Sequence, residues 1–148
     1  MKRFQFPLQR VLDWRSLHMR AAEEQLARLQ EQHAMFVQRE NALRAAELKA
    51  EMGLLKLTSM AGSDLQSLAA FQSRVRTERA ELQTGRARCQ SAIVQQRTRV
   101  LIARRDFRVL EKLKEKRLQS WVYLSDREIE NTAAENYLAR WASPDARE

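Results

Sequence analysis

The residue types that carry most biological chemistry are scarce in this chain, and their spacing suits no reaction. His18 and His33 are the only histidines, fifteen positions apart, and Cys89 is the only cysteine. A structural or catalytic zinc needs three or four such ligands converging on one point, and neither histidine has a cysteine or a ligand-spaced carboxylate cluster nearby. Cys89 falls on an apolar repeat position, where a small packing side chain is expected rather than a nucleophile. No glycine-rich phosphate loop, GxSxG elbow or HExxH pair occurs, so the motifs that place phosphates, serine nucleophiles and metals are missing. The sequence therefore predicts a protein without catalytic residues, metal or cofactor. His33 reads as an irregularity in a packing repeat, and Trp14 and Trp121 read as packing residues.

What remains is charge and helix. Net charge is +8, unevenly spread. Residues 8–57 carry eight basic and seven acidic side chains, 65–124 carry fourteen and five, and 125–148 carry three and six. A basic stretch ending in an acidic tip attracts oppositely charged partners, whether protein, nucleic acid or anionic lipid. Nucleic acid is disfavoured here. The basic residues run around the helix, no zinc-finger spacing appears, and no basic region leads directly into an unbroken zipper. No run of about 18 apolar residues is present, which predicts no membrane span. The start of the chain lacks the apolar stretch of a secretory signal, and the single cysteine suits a reducing cytoplasm.

The elements follow from composition and period. Three glycines and two prolines in 148 residues, with none of the prolines between Pro7 and Pro144, leave little to break a helix. Steps of three and four from Leu65 meet Leu68, Gln72, Val75, Arg79, Leu82, Arg86, Cys89, Ile93, Gln96, Val100, Ala103, Phe107 and Leu110, cross Lys114 and Arg117, and resume the series at Trp121 and Leu124. Seven-residue spacing likewise links Leu12, Met19 and Leu26, then Leu29, Phe36 and Leu43. Such a narrow seam needs a partner helix. It weakens where His33, Glu40 and Glu47 occupy one heptad column. Pro7 suits a first helical turn, and Gly62 suits a left-handed helix end. Ser63 to Gln66 matches a capping box, while Gly53 and Gly85 predict local softness. The expected fold is all-α: a long antiparallel two-helix coiled-coil hairpin, the second helix overhanging at its C-terminal end. It reads as a single domain, with helix one at about 8–57, a turn at 58–64 and helix two at about 65–142. Residue i should face roughly residue 122 minus i. About 25 residues at the end of the second helix should then lack an internal partner, an overhang of ~35 to 40 Å, with Trp121, Leu124, Tyr137 and Trp141 on it.

Three segments together resemble the FliJ family of flagellar type III export proteins. They are Phe4-Gln-Phe-Pro-Leu8-Gln-Arg-Val-Leu12, then Leu68-Ala-Ala-Phe71-Gln-Ser-Arg-Val75, and Arg104-Arg-Asp-Phe107-Arg-Val-Leu110-Glu-Lys-Leu113. The likeness covers nearly the whole chain. It departs from the family pattern where Leu68 replaces an aromatic residue, Ala134 an aspartate and Glu78 a small residue. The resemblance implies a non-enzymatic, stalk-like component of the export apparatus. Its partners would be the hexameric flagellar export ATPase, the cytoplasmic domain of the export gate and the export chaperones, at the cytoplasmic face of the inner membrane. With that resemblance, the unpaired aromatics and the change from basic to acidic at the open end point to ATPase docking through Trp121, Leu124, Arg127 and Glu135, and matching position implies a gate contact through Phe71 and Val75. Two alternatives are the equivalent stalk of a virulence secretion system and a basic coiled coil that binds nucleic acid. A purely structural scaffold is a third.

Overall fold

The structure, a computed structural model, describes residues 3–56, 59 and 61–142. These residues are all-α and contain no strand: α1 spans Gln9–Leu55 and α2 spans Gly62–Ala142. Leu57, at the expected end of the first helix, and Thr58 and Met60, in the expected turn, lie outside the described residues. No helix among the described residues is long and apolar enough to cross a membrane.

Both helix starts differ from the sequence reading, the first by one residue and the second by three, for identifiable reasons. Pro7 does not open α1. It sits in a turn closed by the Gln9 amide donating to the Phe6 carbonyl at 3.0 Å, the second turn position that its fixed φ favours. The expected cap at Ser63 is displaced to Ala61. Helix α2 already begins at Gly62, which has no positive φ, so the left-handed role predicted for it is not taken. Asp64 reaches back instead, its Oδ2 accepting from the Ala61 amide at 3.1 Å. That is the carboxylate half of a capping box, and its charge also suits a helix N-terminus.

Packing groups the residues into two units: Arg20–Ile102, and Met1–Met19 with Ala103–Glu148. In the Arg20–Ile102 unit the two helices run antiparallel with heptad rungs. The Cys89 thiol donates to the Leu29 carbonyl at 3.2 Å and Gln96 Nε2 to the Ala22 carbonyl at 3.0 Å. Residues seven apart on α1 therefore meet residues seven apart on α2, as a heptad seam requires. Val75, Ile93 and Val100 are its most buried apolar side chains there. The weak stretch of the seam is not loosely packed. Glu40 and Glu47 face Arg86 and Arg79, with N–O distances of 2.8 and 2.6 Å, so two ion pairs replace two apolar rungs. Arg39 pairs with Glu78 at their edge.

Gly85 is also not a soft spot. A Cβ there would lie 2.9 Å from Phe36 Cε1 and 3.0 Å from Cζ, so the absent side chain is the hole that the ring fills. At Gly53 a Cβ meets nothing within 4 Å. Gly53→Ala should therefore raise stability by up to ~1 kcal/mol. Gly85→Ala gains the same helix propensity but overpacks, which costs about 1–3 kcal/mol. The expected outcome is opposite shifts of the two urea midpoints; a stabilising Gly85→Ala would mean that the Phe36 ring moves freely.

In the other unit, Phe6, Leu12 and Ala103 are buried, and Arg15 Nη1 donates to Asp106 Oδ2 at 2.9 Å. Trp14 departs from its expected packing role. It is 56% exposed, lies against His18 with rings 5.4 Å apart and 8° from parallel, and has the Arg15 guanidinium 5.0 Å from its ring centroid.

Candidate functional site

The extended N-terminal segment changes which part of α2 is free. Phe4 lies outside α1, yet its ring is 6.0 Å from that of Trp121, and Ser125 is buried. Trp121 is therefore half-buried against this chain's own N-terminal segment and does not head an unpartnered overhang. The uncovered stretch begins after Ser125, and every residue from 126 to 141 is exposed. It is shorter than the 25 or so residues expected.

Leu124, read as the next seam residue after Trp121, is 62% exposed, and Ser125 takes the inward position. Arg127 and Glu135 are exposed as well. At about 100° of rotation per residue, Leu124, Arg127, Glu135 and Leu138 fall within ~80° of one another. The three exposed candidates thus share one face of α2, and Leu138 extends it. Two leucines flanked by one cation and one anion make a compact mixed contact surface. The apolar pair can be desolvated by a partner while the charges fix register. Trp121 stands at the edge of this arc, turned toward Phe4.

The two residues near the turn separate. Val75 is 3% exposed and belongs to the interhelical seam. Phe71 is half-buried and lines a groove of about 300 Å³ with Ala50, Leu54, Asp64, Ser67 and Leu68. In the closed hairpin Phe71, not Val75, can meet a partner there.

No group of His, Cys, Asp and Glu residues among those described could hold a metal ion. His18 is stacked on Trp14, and His33 borders a groove with Gln83, Arg86, Ala87 and Gln90. Cys89 is buried, with its thiol engaged by the Leu29 carbonyl. Sequence reasoning missed the Phe4–Trp121 contact and the two ion-paired rungs. The rungs had a signal, since Glu40 and Glu47 are spaced by seven, as are Arg79 and Arg86. A comparison with known protein families, characterised proteins and solved structures finds no match.

Proposed function

We propose that this chain is a non-enzymatic, stalk-like coiled coil of the flagellar type III protein export apparatus. In this reading it docks in the hexameric export ATPase at the cytoplasmic face of the inner membrane, promoting ring assembly and hydrolysis. It also links the ring to the export gate and takes part in chaperone escort. The observation that carries the reading is the mixed face Leu124–Arg127–Glu135–Leu138 on a single helix from which the N-terminal segment has already departed. A slender helical end with apolar and charged contacts can enter a ring's central opening, which a broad domain could not. The antiparallel hairpin and the three resembling segments agree with it. Phe71, in its groove beside the turn, is the residue assigned to the gate.

The test uses the full chain with Leu124→Ser and Arg127→Glu combined. Both positions are exposed, so helicity measured by circular dichroism should not change. Stimulation of the cognate export ATPase should fall about tenfold or more, as expected when central contacts of an interface are lost. Phe71→Ala should weaken gate binding and leave ATPase stimulation intact. Undiminished stimulation by the double variant would sink the docking role.

The fourteen basic residues between 65 and 124 favour one second reading, binding to nucleic acid. Its mark would be affinity for duplex or single strands that drops by orders of magnitude, about 10³–10⁵ for six to ten phosphate contacts, between 50 and 200 mM salt.

A further inference from the structure

The exposed end of α2 has a second face, on which one apolar pair and one oppositely charged pair are placed symmetrically about a single alanine. Val122, Asp126, Ile129, Ala133, Tyr137 and Arg140 fall within about 80° of one another on the helix, roughly opposite the Leu124–Glu135 face. All but Ala133 carry large or charged side chains, and all are exposed. Ala133 is the midpoint. Ile129 and Tyr137 stand four residues to either side of it, and Asp126 and Arg140 seven.

We propose that this face pairs with the same face of a second copy of the chain, antiparallel, about a twofold axis at Ala133. An isologous contact sets each residue against its mirror position. Asp126 of each copy then meets Arg140 of the other, giving two ion pairs, and each Ile129 packs on the other copy's Tyr137. The alanine at the crossing lets the helices approach toward the short end of the 8–10 Å interaxial range. Parallel pairing would set Asp126 against Asp126 and Arg140 against Arg140, and like charges across an interface oppose it. The orientation is therefore fixed by charge and not by the apolar residues alone. One helix face per copy is a small contact, under about 1,200 Å² in total, which suits weak and reversible association. This inference does not depend on the export reading, because the docking residues lie on the other side of the helix.

Sedimentation equilibrium on the full chain, over a range of about 1–200 µM, reads the association. Asp126→Arg and Arg140→Asp should each weaken it by about tenfold or more, because each change sets like charges together twice. The charge swap D126R with R140D should restore affinity to within about threefold of the original, since the same two pairs re-form with sign reversed. Ala133→Cys should oxidise to a linked dimer, while Asn131→Cys, on another side of the helix, should not. A chain that stays monomeric throughout the range would overturn the proposal. So would association that ignores both single reversals, or a swap that fails to recover while circular dichroism shows an intact helix. ATPase stimulation by D126R should be unchanged, which separates failure here from failure of the docking reading.

Discussion

Arg86→Met is expected to lower the free energy of unfolding by about 3 kcal/mol, the range for stranding one member of a buried ion pair. Glu40→Met should cost clearly less, although both substitutions break the same bond. The asymmetry follows from where each side chain ends. The Glu40 side chain is 7% exposed and that of Arg86 45%. Without Arg86 the carboxylate is left desolvated in the seam with its counter-charge gone. Without Glu40 the guanidinium can turn outward along its own aliphatic stem and regain water. Replacing both by methionine should recover most of the loss, and hydrophobic replacement of such a pair is often neutral or stabilising by 1–4 kcal/mol. Urea denaturation followed by circular dichroism measures all three. Equal losses for the two single variants would show that Glu40 is better solvated than its burial indicates.

The second large effect is a contrast within one helix. Ile93→Ala should destabilise by about 2–4 kcal/mol, the cost of lost transfer free energy plus a cavity in a packed seam. Leu101→Ala, eight residues further along, should stay within about 0.5 kcal/mol, as surface substitutions do. Ile93 is 3% exposed and Leu101 65%, so residues of similar size differ only in which side of α2 they occupy. Denaturation midpoints of the two variants decide it. Comparable losses would mean that Leu101 is covered by another chain in solution.

The seam was legible because antiparallel helices of this length can bury only residues spaced by three and four, and the ladder from Leu68 to Leu110 has that spacing. Leu65, which began the ladder, is half exposed, because it lies in the first turn of α2. Reading Glu40 and Glu47 as weakness treated each charge alone. The antiparallel rule already set both near the two seam arginines of α2, so the ion pairs were within reach of the same register. Past Lys114 the reading slipped by one residue, to Leu124 in place of Ser125. A straight α-helix drifts ~20° per heptad against a strict seven-residue repeat, and counting by sevens fails once the coiled-coil partner is no longer alongside. Phe4 lies in no helix and has no period, so nothing in the sequence placed it on Trp121. The Gly85 hole was invisible for a related reason, since only coordinates reveal which ring lies opposite a missing side chain.

Cys89 has a consequence for how motion in this hairpin can be followed. Its thiol lies in the seam, engaged by a carbonyl of the other helix, and it is the chain's single sulfhydryl. A water-borne alkylating reagent can reach that sulfur only in the moments when the two helices part at this rung. When reclosing outpaces alkylation, the labelling rate reports the equilibrium population of parted helices, and when alkylation is faster it reports the opening rate itself. The unmodified protein thus carries an internal clock for its own breathing, set at one known rung between the ion-paired layers and the Gln96 crossbond.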